Sequence, residues 1–206
     1  MTTPSSLQAD SARLGVELDA AAAGKLLMLA AVLAEWNRRF NLTSILEERT
    51  VTHHLLDSLS VGPYLRGKRI VDVGTGAGFP GIPLALAYPE REFLLIDATR
   101  KKLGFVEHAL ARLELKNVTT LHTRAEQYRP PQRFDTVVAR ALAKLGQFVA
   151  YTGHLCVPGG RILAMKGHVH GAELAAIPRG WKVVAVHRVE VPGLEAERHI
   201  VELVRA

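Results

Sequence analysis

The stretch Ile70-Val71-Asp72-Val73-Gly74-Thr75-Gly76-Ala77-Gly78-Phe79-Pro80-Gly81-Ile82-Pro83 decides how the rest of the chain is read. An apolar strand runs into glycines at alternate positions, and a proline then opens a helix. Glycine leaves the backbone free to turn sharply and lets a ligand approach the main chain closely. Pro80 suits a first helical turn, where its missing N–H costs nothing. The N–H groups at such a helix start can hold an anion. Asp72 stands two residues before the first glycine, so a carboxylate belongs to the same turn.

Outward from this turn, strands and helices alternate. Arg69–Val73 reads as a strand, Pro80–Ala87 as a helix closed by Tyr88-Pro89, and Glu92–Asp97 as the next strand. Arg100–Leu115 is an amphipathic helix with Leu103, Val106, Ala109, Leu110 and Leu113 on one face. Val118–His122 and Phe134–Ala139 follow as strands, Leu142–Cys156 as a helix, and Arg161–Met165 as a strand after the turn Pro158-Gly159-Gly160. Trp181–Arg188 and His199–Arg205 have no helix between them, so they form an antiparallel pair. The alternation predicts a doubly wound α/β fold: a mostly parallel seven-stranded sheet covered on both faces, with an antiparallel C-terminal hairpin.

Upstream the pattern is helical. Residues 6–18 form a weak helix ending near Gly15, and Asp19 caps a longer one over residues 20–40. Trp36 and Phe40, four residues apart, read as core. Asn41-Leu-Thr-Ser44 breaks that helix, and Thr50–Ser60 makes a third, stopped by Gly62-Pro63. The chain thus divides into an N-terminal helical region, residues 1–66, and an α/β domain, residues 67–206, joined at Gly67-Lys68-Arg69.

Composition narrows the function classes. Apolar residues make up 48% of the chain, ample for a core. The single cysteine, Cys156, excludes an internal disulfide framework and fits a reducing compartment. The first residues lack the basic and apolar regions of a secretory signal, and the run Leu26–Ala34 is too short to span a bilayer. A soluble cytoplasmic protein without membrane partners, and a monomer, is the expectation. The net charge of +6 is uneven: residues 1–65 hold 5 Lys/Arg against 7 Asp/Glu, residues 66–206 hold 21 against 13. A polyanionic partner such as nucleic acid, or a merely soluble basic surface, both fit. His53-His54 and His168-x-His170 lack the companions of a metal site, and no metal is expected.

Gly76-Ala-Gly78-Phe-Pro-Gly81 matches the G-x-G-x-x-G of dinucleotide sites, in the right strand-to-helix context. Two features oppose a pyrophosphate. Asp72 would place negative charge beside the phosphates, and Pro80 removes a donor from the anion cradle. S-adenosylmethionine fits better, with an ammonium, a carboxylate and a sulfonium but no phosphate. Asp72 then faces the cationic end, and the N–H groups of the turn at Gly74, Gly76 and Gly78 serve the carboxylate. Asp97, which ends the next strand 25 residues later, is placed to accept from both ribose hydroxyls. The competing reading has Asp72 and Asp97 merely capping strand ends.

Several segments together resemble one family. Val71–Pro83, Trp36-Asn37 with Phe40-Asn-Leu-Thr-Ser44, His54-Leu-Leu-Asp-Ser-Leu59, Phe134-Asp135 with Ala139-Arg-Ala141, Met165-Lys-Gly167 and Glu197-Arg-His199 resemble, in order and spacing, the GidB/RsmG family of bacterial small-subunit ribosomal RNA guanine-N7 methyltransferases. The resemblance implies the class I methyltransferase fold and methyl transfer from S-adenosylmethionine to N7 of a guanine in the 530 loop (nucleotide 527) of 16S ribosomal RNA, free or in the 30S subunit. It places the donor against Gly74, Phe79, Ala125, Glu126 and Arg140. Some relatives carry leucine in place of Phe79, and others serine near Val138-Ala139. A small-molecule methyltransferase and a non-catalytic nucleotide-binding module are the alternatives.

Guanine N7 presents an unshared pair, so no proton must leave before it attacks and no general base is expected. Arg140, after the fourth strand at the carboxyl edge, is the candidate for positioning substrate or donor. Candidates for RNA phosphate contacts are Arg100, Lys101 and Lys102 at a helix start, Arg124 on the loop after the third strand with Arg129 and Arg133, and Lys166 after the fifth. Asn41, Thr43 and Asp57 could join the helical region to the sheet or to RNA.

Overall fold

The computed structural model describes residues 2–140 and 143–206. Its sheet has seven strands: β1 Arg69–Val73, β2 Glu92–Asp97, β3 Val118–His122, β4 Phe134–Arg140, β5 Cys156–Lys166, β6 Trp181–Val189 and β7 Arg198–Arg205. Their spatial order is β3-β2-β1-β4-β5-β7-β6. The first five are parallel, while β7 enters antiparallel between β5 and β6. The expected doubly wound sheet with its antiparallel hairpin is therefore present. The order reverses between β1 and β4, which opens a crevice at their carboxyl ends.

Alternation along the strands divides the core between two faces. Ile70, Leu95, Val138, Leu163 and Met165 point to the face covered by α1 (Pro4–Arg13), α2 (Ala20–Phe40), α3 (Asp57–Leu59), α4 (Gly81–Ala87) and α5 (Arg100–Leu113). Val71, Ile96, Val137, Ala139 and Ile162 point to the other, where α6 (Leu145–Thr152) packs with the segment carrying α7 (Gly171–Ala175). Helix α2 starts and stops on local chemistry. The Asp19 carboxylate accepts the Ala22 N–H at 2.6 Å, and Asn41 ends the helix in the left-handed conformation at φ 49°. This helix is long and apolar enough to cross a membrane by length and composition, yet Ala23, Leu26, Leu29, Val32 and Leu33 pack into the core.

Where the chain passes from the helices into β1, Asp135 holds the joint. Its Oδ2 accepts the Lys68 and Arg69 N–H groups at 2.8 and 2.9 Å. Gly67, at φ 68°, lies so close to Asp135 that a Cβ would collide with that side chain. Thr136 adds a second tie, its hydroxyl donating to the Arg66 carbonyl at 2.7 Å and accepting the Arg66 N–H.

Several expected boundaries move. Strand β5 begins at Cys156 rather than Arg161, because Pro158-Gly159-Gly160 forms an irregular register shift within the strand. Helix α6 begins at Leu145. The expected start at Leu142, like Ala141 of the Ala139-Arg-Ala141 segment, lies outside the described residues. Pro80 caps α4 instead of filling its first turn. Phe40 is 39% exposed, not core: it packs tilted against Trp36, with Lys101 over its ring, while Trp36 packs edge-on against Phe105. The third helix is π-helical over Val51–Leu56 before α3, a local widening that recurs at functional sites.

Candidate active site

Two crevices flank the point where the strand order reverses. The first, of about 280 Å³, is lined by Val73, Gly74, Ile96, Asp97, Ala98, Thr123, Arg124, Ala125, Glu126, Ala143, Gln147 and Tyr151. It lies close to the lower end of the range for small-molecule sites. The second, of about 330 Å³, is lined by Ile45, His53, Asp57, Arg140, Met165, Lys166, Gly167 and Arg198. Strand β4, with Arg140 at its carboxyl end, faces the second.

The glycine turn of the first crevice is held almost wholly by the protein's own groups. Gly74 and Thr75 N–H donate to the Ile96 carbonyl at 2.8 and 3.0 Å, and Gly78 and Phe79 N–H to the Thr75 carbonyl at 3.0 and 2.9 Å. The Gly76 N–H donates to Asp97 Oδ2 at 2.9 Å and the Gly81 N–H to Asp72 Oδ2 at 2.8 Å. A pyrophosphate cradle needs free N–H groups at the helix start. Here Gly81 N–H is capped by a carboxylate and Pro80 has none. Gly74, Gly76 and Gly78 all adopt left-handed φ, at 69°, 61° and 85°. Gly76 has open space where a Cβ would stand, whereas at Gly78 a Cβ would collide with Ile82. The first position permits close approach of a ligand, and the second is packed by the fold.

Asp72 requires a correction. It does not face the crevice: it is fully buried behind the turn, with Oδ2 accepting the Thr75 hydroxyl at 2.6 Å as well as the Gly81 N–H. Burial pushes its carboxyl up to about 6, against the opposing pull of those two hydrogen bonds and of Arg140. Nor are the turn's N–H groups at Gly74, Gly76 and Gly78 free to serve a ligand carboxylate. Asp97 does line the crevice, its oxygens accepting the Gly76 and Thr99 N–H groups, and carboxylate lone pairs remain for further donors. Ala125 and Glu126 line it too, on the turn after β3. Phe79 does not; it is buried under the His54 ring, stacked at 4.5 Å between centroids.

The second crevice is built by charges from distant parts of the chain. Asp57, its side chain 3% exposed, accepts from Arg140 Nη1 at 3.1 Å and from Arg198 Nε at 2.7 Å. Arg140 Nη1 also donates to the His53 carbonyl, and Nη2 meets His54 Nδ1, both at 3.0 Å. Its guanidinium lies 5.5 Å from the Phe79 ring centroid. Lys166 is not a free loop cation. It pairs with Glu173 at 2.7 Å, and Glu173 also accepts the Leu145 N–H at 2.8 Å. Asp57 thus joins the helices to the sheet, Thr43 bonds within the helical region to His54 and Asn37, and Asn41 serves as the α2 cap. Glu173 was not singled out from sequence, and His54 and Arg198 entered only within family-like segments and, for His54, as half of a histidine pair without metal companions, although the His54/Asp57 spacing of three puts both on one helix face.

Of the remaining basic candidates, Arg124 is exposed at the mouth of the first crevice. Arg100 pairs loosely with Glu107 at 3.6 Å, Lys101 lies over Phe40, and Lys102 is half-buried.

Comparison with known proteins agrees with this geometry. A Thiobacillus denitrificans S-adenosylmethionine-dependent methyltransferase, solved in complex with S-adenosyl-L-homocysteine, shares the fold at TM-score 0.53 and 14% identity, over 80% of this chain and all of that one. TrmN from Thermus thermophilus does so at TM-score 0.54 and 21% identity, over 72% of this chain and 47% of that one. Much nearer in sequence are proteins named ribosomal RNA small subunit methyltransferase G. That of Shewanella amazonensis is 42% identical, covering 97% of this chain and 98% of its own. That of Aromatoleum aromaticum is 47% identical, covering 97% of both. The family model described as rRNA small subunit methyltransferase G matches residues 23–201. The chain therefore belongs to the GidB family, the small-subunit ribosomal RNA methyltransferases G.

Proposed function

We infer that this protein transfers a methyl group from S-adenosylmethionine to N7 of a guanine in the 530 loop of 16S ribosomal RNA, nucleotide 527, with the RNA or the 30S subunit as substrate. The observation that carries the choice of donor is the fate of the turn's N–H groups. Those at Gly76 and Gly81 donate to Asp97 and Asp72, which leaves a crevice suited to a nucleoside rather than to a diphosphate. Family membership supports the RNA substrate.

When bound, the donor supplies an electrophilic methyl group on a sulfonium. Gly74, Asp97, Ala125 and Glu126 would hold its adenosine part in the first crevice, with Asp97 accepting from the ribose. Asp72 acts behind the turn, keeping Thr75 and Gly81 in place. Arg140 lines the second crevice and not the first, so its proposed role is to position the incoming nucleotide rather than to hold the donor. With the donor held there, methyl transfer to N7 would break the methyl–sulfur bond and carry the positive charge to the base. No proton is removed, so the residues contribute alignment, which can supply about 7–11 kcal/mol in favourable cases. Arg100, Lys101, Lys102 and Arg124 extend a basic surface beside the first crevice for RNA phosphates. A bond network of this kind weakens steeply with salt.

The test incubates the protein with labelled donor and 30S subunits lacking the modification, then maps 7-methylguanine by reductive strand scission. Label at one guanine of the 530 loop is expected. Label elsewhere, or only on a small molecule, contradicts the assignment.

A further inference from the structure

The donor turn and the acceptor crevice are linked by one imidazole that neither crevice contains. His54 is 5% exposed and touches both. Its ring stacks on Phe79, the residue after Gly78 in the turn, at 4.5 Å and 18° between planes. Its Nδ1 lies 3.0 Å from Arg140 Nη2, and its Nε2 lies 3.0 Å from Thr43 Oγ1.

These contacts define the proton positions. A guanidinium can only donate, so Nδ1 is the acceptor and carries no hydrogen. The neutral ring then holds its proton on Nε2 and donates to Thr43. Thr43 is itself fixed: its hydroxyl accepts the Ile45 N–H at 3.1 Å, and its backbone makes a two-way tie with the Asn37 amide at 2.9 and 3.0 Å. The chain of contacts runs from the end of α2 through Thr43 and His54 to Arg140. The charged or titratable groups around the ring are Arg140 and His53, with Asp57 beyond Arg140. Burial, then Arg140, then His53 hold its pKa down at about 3.

We propose that His54, neutral and protonated only on Nε2, is a positioning residue that registers the Phe79 side of the donor turn against the Arg140 guanidinium. This rests on the methyl-transfer reading of the two crevices. A neutral acceptor steers Arg140 without adding to the negative charge that Asp57 already sets beside the guanidinium. The stacked face restrains Phe79 at the same time.

Two variants separate the contacts. His54→Phe keeps a ring over Phe79 and loses the acceptor. His54→Asn places an amide oxygen near the Nδ1 position and loses the ring. For His54→Phe we expect S-adenosylhomocysteine affinity and KM for 30S subunits within about threefold of the parent, and kcat lower by about tenfold or more. His54→Asn recovers part of that kcat. An unchanged kcat in folded His54→Phe, or a loss that His54→Asn does not relieve, overturns the proposal. Nitrogen-15 NMR of the unmodified protein gives a readout independent of RNA and of variant folding. Nδ1 is expected bare, Nε2 protonated, and neither titrating between about pH 5 and 8. A proton on Nδ1, or titration in that range, also overturns it. If the parent protein fails to methylate 30S subunits, the functional reading falls and the NMR result alone decides the role of His54.

Discussion

The two crevices at the carboxyl edge are built in opposite ways. The first crevice gathers the glycine turn at Val73-Gly74, Asp97 and the turn after β3, and its glycine turn is closed by two carboxylates from adjacent strands, Asp72 and Asp97. Its polar contacts are to backbone, and most of them are local. The acceptor side is made by side chains far apart in the chain: His53, Asp57, Arg140, Lys166 and Arg198. Its contacts are ion pairs between elements, including the Asp57–Arg198 pair. A backbone turn can bind a ligand common to a whole fold, whereas side chains recruited from distant elements can be changed one at a time. Under the proposed function, the contrast assigns donor chemistry to the turn and substrate discrimination to the charged network.

The sharpest break of that contrast is Asp57→Ala. It leaves Arg140 and Arg198 half-buried without their shared carboxylate. Removing one partner of such a buried network costs about 3–5 kcal/mol, read as a lowered urea midpoint. A change below about 1 kcal/mol would make the network a surface feature. Next is Arg140→Ala, which should lower methyl transfer by about two orders of magnitude, roughly 2.7 kcal/mol, with S-adenosylhomocysteine still bound and the protein folded. Near-normal turnover by the folded variant would remove Arg140 from the mechanism.

Gly76→Ala probes the other side. Its Cβ meets open space in the fold, so the left-handed backbone costs about 1–2 kcal/mol while donor affinity falls about tenfold. Equal donor affinity by calorimetry would show that the ligand does not approach the turn. The smallest expected effect is on the net pH dependence of stability, because two buried groups oppose each other. His54 has a folded pKa near 3, below its ordinary 6.5, so folding sheds a proton between those values and stability falls as pH drops below 6.5. Asp72, raised to about 6, works in the opposite sense, losing stability as pH climbs from its ordinary 3.8 to about 6. The difference between the parent and His54→Phe isolates the first effect. Between pH 7 and 5 the parent should lose about 2 kcal/mol more than the variant.

Where sequence was informative follows from the same contrast. Asp19 and Asn41 mark the ends of α2, and strands β1, β2 and β3 run between the expected residues, because caps and alternation are local signals. The sharp glycine turn itself was legible for that reason. The orientation of Asp72 was not, since nothing local shows that Thr75 and Gly81 claim its oxygen. Lys166 read as a free cation because its partner, Glu173, sits on a five-residue helix too short to leave a periodic pattern. Phe40 shares a helix face with Trp36 by spacing, yet lies in the last turn of α2 and remains 39% exposed.

The central claim is that the glycine turn admits an adenosyl sulfonium donor because its N–H groups are already engaged. Titration calorimetry of the unmodified protein with S-adenosylhomocysteine and, separately, with NAD tests it directly. One saturable site for S-adenosylhomocysteine, weakened by Gly76→Ala, and no heat from NAD are expected. Saturable binding of NAD that Gly76→Ala abolishes, with S-adenosylhomocysteine silent, would contradict it.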